Sequence, residues 1–183
     1  GAIVLDYRLY CGAGVFPSER LYFCALAASS GELVWRTELE TLPLQGYILA
    51  SQSKLYVPTG RGGPLAFDLV SGVHLYGIGE GRGTYALLNE GRLVTNSGSN
   101  ARRAGFFPTS GGGALARVAA ELVTVAGERT YLLGEGKLSA LEHTSFFSLS
   151  REQASLEKER KRLAEDVARA EKEGVPVPGG QRD

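Results

Sequence analysis

The sequence predicts an all-β fold, a partial β-propeller of about three to four four-stranded blades, followed by one α-helix. Three observations predict it. Short β-prone runs recur with a period of about 40 residues, which is the spacing of propeller blades. Glycine is frequent, at 25 of 183 residues, and stands between these runs, as it does at tight turns. Near Ser150 the composition changes abruptly to charged, helix-forming residues.

The clearest repeat is a Ser-Gly turn between two short strands. Residues 25–35 and 66–76 both read alanine, an apolar residue, three variable residues, Ser-Gly, and a strand that ends in an aromatic side chain. A weaker third copy starts at Ala140, with Phe146 in place of the glycine. A basic residue followed by a β-prone run opens a strand of each unit, at Arg8, Lys54, Arg92 and Arg129. Each unit therefore reads as four strands joined by turns, without the sustained 3.6-residue stripe of helical repeats.

The third unit departs from this pattern. Residues 96–113 hold serine, asparagine, glycine, proline and two arginines where a third strand is expected. These residue types favour turns and loops over strands. We therefore expect a degenerate blade with an enlarged loop in this unit.

The segment after the repeats predicts a charged amphipathic helix. Ser150 and Gln153 match a capping box, and Gly174 offers a stop. Apolar residues recur every seven positions, at Leu149, Leu156, Leu163 and Ala170. A helix with such a narrow apolar stripe either docks lightly on the propeller or pairs with another helix. A solvated surface helix is the favoured interpretation. The expected division is blades over 1–147, the helix over 148–174 and a disordered tail over 175–183.

The Ser-Gly copies carry a resemblance to a known family. Residues 25–35 resemble the repeat of the pyrroloquinoline-quinone-like, or quinoprotein-type, β-propellers, which reads Ala-Leu-Asp-x-x-Thr-Gly-x-x-x-Trp. The second copy keeps the aspartate as Asp68 but ends in Tyr76. The resemblance covers about residues 1–147 and extends to bacterial envelope propellers, including the lipoprotein of the outer-membrane β-barrel assembly machinery. It implies that Trp35 packs between neighbouring blades, with Tyr76 as its counterpart, and that Asp68 caps its turn.

The resemblance implies a binding or scaffolding function rather than catalysis. The expected protein is a non-catalytic propeller of the periplasm or cell envelope that displays blade loops to a protein or small-molecule partner. The alternative is part of an enzyme, either a quinone-dependent dehydrogenase or a propeller fused to a catalytic domain such as a methyltransferase. The family's dehydrogenases use an adjacent cysteine pair and a calcium site, and this sequence has neither pattern. We therefore expect no catalytic, cofactor-binding or metal-binding residues and no cofactor.

Charge and hydropathy limit the partners. The formal net charge is zero, from 20 basic and 20 acidic residues, which argues against a nucleic-acid surface. No apolar run approaches the roughly 20 residues that cross a bilayer, so no membrane span is expected. The sequence begins without methionine inside a strand pattern, which predicts a fragment of a larger propeller. An incomplete ring leaves blade edges open, so self-association through these edges is also expected.

Few residues remain as candidates for chemistry. Cys11 and Cys24 lie on consecutive strands, where a hairpin places them opposite each other; two buried thiols are favoured over a disulfide. His74 and His143 have no second ligand at metal spacing, so packing or surface roles are expected. Four loop arginines could ring one face and hold an anion or acidic partner, although solvated charges are favoured: Arg61, Arg82, Arg102 and Arg103. The glycine-rich stretches 77–83 and 134–137 lack the register of phosphate loops and predict turns.

Overall fold

The computed structural model describes residues 1–14, 18–39, 44–60, 62–78, 86–97 and 102–173. The chain forms two compact units, Gly1–Leu141 and Glu142–Asp183. The expected tail over residues 175–183 lies outside the described residues. The first unit holds the sheets and the second holds the helix, and each is described separately below.

The described residues of the first unit form four antiparallel sheets, each built from strands in chain order. Blade 1 consists of β1 (Ala2–Leu5), β2 (Arg8–Ala13), β3 (Leu21–Ala27) and β4 (Leu33–Leu39). Blade 2 consists of β5 (Leu49–Ala50), β6 (Lys54–Val57), β7 (Leu65–Asp68) and β8 (His74–Gly77). Blade 3 consists of β9 (Ala86–Asn89), β10 (Arg92–Ser97), β11 (Arg103–Pro108) and β12 (Ala116–Ala119). Blade 4 has three described strands, β13 (Leu122–Ala126), β14 (Arg129–Gly134) and β15 (Lys137–Glu142). The fold is a partial β-propeller, as the sequence predicts.

The two Ser-Gly copies have the same backbone structure. In each copy the ladder between the third and fourth strands shifts register, between Ala25 and Leu26 in blade 1 and between Ala66 and Phe67 in blade 2. The glycine of each turn adopts a positive φ, +77° in the first copy and +72° at Gly72 in the second. Glycine alone takes this conformation without a steric penalty. The sequence repeat is therefore a structural repeat.

The turn of blade 2 is capped as expected, and the turn of blade 1 is not. The Asp68 carboxylate accepts hydrogen bonds from the backbone N–H groups of Val70 at 3.1 Å and Ser71 at 2.8 Å, and from the Ser71 hydroxyl at 2.8 Å. These hydrogen bonds, led by that of the Ser71 backbone, lower the pKa of Asp68. Ala27 stands at the corresponding position of blade 1 and has no side-chain acceptor.

Aromatic side chains fill the space between blades 1 and 2. The Phe23 ring lies 5.4 Å from Trp35 and 4.9 Å from Phe67, both in edge-to-face geometry. Trp35 is only 9% exposed and contacts the core formed with Leu55 and Phe67 of blade 2. The expectation that Trp35 packs between blades is therefore correct.

Tyr76 has the corresponding place between blades 2 and 3. It packs against the core cluster that joins Ala66 of blade 2 to Leu93 and Phe107 of blade 3. Its hydroxyl donates a hydrogen bond to the carbonyl oxygen of Thr109. Burial raises the pKa of the Tyr76 hydroxyl. The aromatic end of each complete copy thus lies at an interface between blades.

Blade 3 is more regular than its sequence suggests. Strand β11 pairs with β10 residue by residue, from Arg92 opposite Pro108 to Ser97 opposite Arg103. The expectation of a missing third strand is wrong, because the adjacent rings of Phe106 and Phe107 are buried and anchor a strand there. Residues 98–101, between β10 and β11, lie outside the described residues.

The helix α1 spans His143–Glu173. It begins before the capping box that the sequence offers at Ser150, so that box is not its start. The Glu142 carboxylate caps it instead, accepting hydrogen bonds from the backbone N–H groups of Thr144 at 3.2 Å and Ser145 at 2.9 Å. The negative charge of a carboxylate at this position also interacts favourably with the positive end of the helix dipole.

Candidate functional site: the open edge of the fourth blade

Blade 4 differs from the others at its third strand. In blades 1 to 3 the third strand is the buried centre of the sheet, as shown by Phe23 on β3, Phe67 on β7 and Phe107 on β11, each with no exposed surface. In blade 4 the third strand is β15, and its first four residues are all exposed. Leu138 is 73% exposed. The position that is most protected in the complete blades is therefore open here.

The third copy of the repeat departs from the second at the glycine of the turn. Glu142 and Ser145 of the third copy match Asp68 and Ser71 of the second, and both carboxylates accept the same backbone and hydroxyl hydrogen bonds. Phe146 then stands where the second copy has glycine with φ +72°. A phenylalanine is strongly disfavoured in that left-handed conformation. The chain continues as a right-handed helix instead of turning back to form a fourth strand.

The open edge can therefore form hydrogen bonds with another chain. Among the described residues, β15 has β14 on one side and no strand on the other. Backbone N–H and C=O groups at such an edge are free to pair with an incoming strand. Leu122 and Leu133, which are paired across β13 and β14, add exposed apolar side chains to the same blade. This edge is the strongest candidate for a binding site.

The Glu142 cap predicts how the helix responds to pH. Hydrogen bonds from the Ser145 hydroxyl and backbone lower the pKa of Glu142 from 4.5 to about 2. Since the folded pKa lies below the unfolded one, the cap stabilises the helix start above pH 4.5, and this contribution disappears as the pH falls towards 2. We expect Glu142→Gln to remove this part of the acid-induced loss of helical circular dichroism at 222 nm. The control Glu152→Gln changes an exposed carboxylate on the same helix; identical acid profiles for wild type and Glu142→Gln would contradict the assignment.

The two cysteines are opposite each other, as the hairpin predicts. Cys11 on β2 is the direct partner of Cys24 on β3, and both thiols are free. Cys24 is buried, whereas Cys11 is half-buried. Burial, with a smaller contribution from Cys11, raises the pKa of the Cys24 thiol. The Cys24 thiol is therefore less reactive than an exposed one and belongs to the packing of blade 1.

The histidines are not brought together. His74 is exposed on β8, with its ring 5.3 Å from Phe67. His143 is the buried first residue of α1, with its ring 5.8 Å from Phe147. In the part of the chain that the structure describes, no three His, Cys, Asp or Glu side chains are grouped to hold a metal ion.

Two of the four candidate arginines can be placed. Arg102 forms an exposed ion pair with Glu121 at 3.7 Å, and Arg103 begins β11. Arg61 and Arg82 lie outside the described residues. Exposed ion pairs of this kind contribute little to stability.

The glycine-rich stretches fall at turns where they are described. Glu135 and Gly136 have φ values of +52° and +70° and connect β14 to β15. Positive φ at both central residues is the type I′ hairpin geometry. Gly77 ends β8, and most of the other stretch, residues 79–83, lies outside the described residues. Across the described ranges, no helix is long and apolar enough to cross a membrane.

The fold can be compared with known proteins. No family model and no curated protein sequence matches the chain. Solved structures do match: BamB from Moraxella catarrhalis has 19% sequence identity and a TM-score of 0.58, over 79% of this chain and 46% of BamB. Two computationally designed proteins match with TM-scores of 0.59: Ika8 at 8% identity, over 77% of this chain and 44% of Ika8, and Ika4 at 7% identity, over 77% and 88%.

These likenesses establish the fold. The chain spans about half the length of BamB, a β-propeller lipoprotein. At such low identity the quinoprotein-type repeat stays a prediction. The chain is similar to β-propellers in the order of its strands, in the stacking of its sheets and in its alignment with BamB.

Proposed function

We propose that this chain is a non-catalytic binding scaffold of the bacterial cell envelope, which takes up an extended segment of a partner protein beside β15. The partner segment would become the fourth strand of blade 4. The observation that carries the proposal is the exposure of Lys137, Leu138, Ser139 and Ala140 on a strand whose equivalents are buried in the other blades.

Strand addition explains the geometry of this edge. An added strand would satisfy the outward backbone groups of β15 along most of its length, and these hydrogen bonds do not depend on the partner's sequence. Selectivity would come from alternate side chains of the partner, which would lie beside the exposed Leu138 of β15. A linear edge of this kind favours a peptide segment over a compact small molecule.

The location in the envelope is supported by the likeness to BamB. That likeness covers 79% of this chain and concerns a β-propeller lipoprotein. Because the identity is 19%, it supports the location and the scaffolding role as proposals. The blade loops on either side of the edge offer further surface to the same partner.

A peptide copy of the chain's own β4 strand provides a direct test. We expect a synthetic peptide of residues 33–39 to slow backbone hydrogen exchange in β15 when it is added to the full chain, because it can supply the fourth strand that the described residues of blade 4 do not form. A peptide with every backbone amide N-methylated is the matched control, since neither of its edges can donate backbone hydrogen bonds to β15. Exchange in β8, the outer strand of the complete blade 2, should not change. The proposal fails if β15 exchange is unaffected or if β8 is protected equally.

A second copy of the chain competes for the same edge. If two β15 strands pair, size-exclusion chromatography with light scattering would show dimers at high concentration. Leu138→Lys places a charge on the exposed edge, as natural edge strands do to prevent such pairing. We expect this variant to remain monomeric and to bind the β4 peptide more weakly. Dimers that persist in Leu138→Lys would show that self-association uses another surface.

A further inference from the structure

The helix α1 carries a row of leucines that is open to solvent. Leu149, Leu156 and Leu163 recur every seven residues and are 64%, 59% and 57% exposed. All helix residues from 151 to 169 are exposed. Seven residues is the period of the seam along which helices pair in coiled coils. A leucine row with this period that stays in water indicates a face that another helix can cover.

The surface beside these leucines has the shape that a coiled-coil partner requires. In a coiled coil, each apolar side chain of one helix enters a hole between four residues of the other. An open depression of about 420 Å³ lies on α1, lined by Leu149, Glu152, Gln153, Leu156, Glu157 and Arg160. With leucines at position d of the heptad, these six residues occupy positions d, g, a, d, e and a. These residues surround two successive holes of this kind.

The charges that flank this seam are all of one sign. Positions e and g lie on either side of it, and their ionisable residues are acidic: Glu152, Glu157, Glu159, Asp166, Glu171 and Glu173. Apart from Arg160 at position a, the basic residues of the helix lie at positions b, c and f, away from the seam. Arg162 and Arg169 each approach Asp166 at 3.9 Å. Such exposed pairs are weak, so the flanks remain negative.

This charge pattern argues against a second copy as the partner. In a parallel pair, Glu152 would face Glu157 of the second copy, and Asp166 would face Glu171. In an antiparallel pair, e faces e and g faces g, which again opposes acids to acids. Like charges at these positions destabilise pairing and select against it. The acidic flanks also oppose binding to an anionic lipid surface.

We propose that α1 is a docking site for a helix of another protein. That helix has an apolar seam with heptad spacing, lysine or arginine at its e and g positions, and a carboxylate that faces Arg160. The carboxylate is required because Arg160 occupies a seam position, where pairing would enclose its charge. The residues of this site differ from those at the edge of blade 4. The site adds a second partner to the proposed function, so either proposal can fail without the other.

Two synthetic helical peptides of about four heptads test the proposal. They share one leucine seam with a glutamate to face Arg160, and differ only in carrying lysine or glutamate at positions e and g. Fluorescence anisotropy of the labelled peptides is measured against the full chain at low and high salt. We expect the lysine peptide to bind at least about tenfold more tightly than the glutamate peptide, with a smaller difference at high salt.

Matched variants separate docking from helix stability. The double substitution Leu156→Ala with Leu163→Ala places alanine, a residue of high helix propensity, at both positions. It is expected to lower the affinity for the lysine peptide about tenfold. Lys158→Ala, at position f of the same helix, should not change the affinity for either peptide. Reversing Glu152, Glu157 and Glu159 to lysine should transfer the preference to the glutamate peptide, an outcome that an unfolded helix cannot produce. Circular dichroism checks the helix content of each variant.

Three results would overturn the proposal. The first is equal binding of both peptides. The second is a dimer of the full chain that Leu156→Ala with Leu163→Ala abolishes, which would assign the seam to a second copy. The third is binding to anionic lipid vesicles that is lost in the same variant. Leu138→Lys, on the edge of blade 4, should leave peptide binding to α1 unchanged, which distinguishes this test from that of the proposed function.

Discussion

Gly72→Ala is expected to lower the free energy of unfolding by about 3 kcal/mol. The φ of +72° at this position costs about 1–2 kcal/mol for any residue with a Cβ. The added Cβ would also lie 2.4 Å from Cε3 and 2.5 Å from Cδ2 of Trp35, so the indole must move. Overpacking of this kind costs about 1–3 kcal/mol. The shift would strain the 2.5 Å hydrogen bond that the Thr37 hydroxyl donates to the Gly72 carbonyl.

The first copy of the repeat supplies the matched control. Gly31 has nearly the same φ, +77°, but its added Cβ would meet no atom within 4 Å. Gly31→Ala should therefore lower the free energy of unfolding only by the backbone cost of a positive φ, about 1–2 kcal/mol. Urea unfolding followed by fluorescence measures both variants, because Trp35 is the single tryptophan and lies at the affected interface. Equal losses in the two variants would show that the contact with Trp35 does not matter.

Phe67→Ala is expected to destabilise the chain by about 3–5 kcal/mol. Phe67 has no exposed surface, and its ring contacts Phe23 of blade 1 at 4.9 Å and His74 at 5.3 Å. Truncation removes both aromatic contacts and leaves a cavity between two blades that pack face to face. Urea unfolding gives the magnitude. A double-mutant cycle with Phe23→Ala measures the share that belongs to the pair across the interface.

The control for this substitution lies in the turn that follows β7. Val70 is exposed, and Val70→Ala should change the unfolding free energy by less than about 0.5 kcal/mol. Since each blade contacts only its neighbours, Phe67→Ala should first raise hydrogen exchange in blades 1 and 2 and leave β10 and β11 protected. Uniform loss of protection across all blades would instead show that the stack unfolds as one cooperative unit.

The sequence predicts the repeat but not its contacts. The spacing of the Ser-Gly turns locates the strands, and the aromatic residues Trp35 and Tyr76 lie between blades as expected. The approach of Gly72 to Trp35 could not be predicted, because it depends on how far one sheet is offset against the next. Strand β11 was missed because turn-forming residues surround the buried pair Phe106 and Phe107, whose burial depends on the neighbouring blade.

Only part of the candidate site can be predicted from the sequence. The replacement of glycine by Phe146 is evident from the alignment of the copies, but its effect on the path of the chain is not. The capping box at Ser150 misplaced the helix start, since Glu142 and Ser145 offer an earlier cap with the pattern of Asp68 and Ser71. Two local motifs compete for one helix terminus, and the cap at Glu142 is the one that is used.

The turn after the third strand is a branch point in the architecture. Asp68 and Glu142 accept equivalent hydrogen bonds from Ser71 and Ser145, although the chain completes a sheet after the first turn and continues as a helix after the second. An array of such modules can therefore be ended, or joined to an unrelated element, directly after this shared turn, while the three inner strands of the last module keep their pairing. Modular proteins of this type can gain new attachments without redesign of their packed interior.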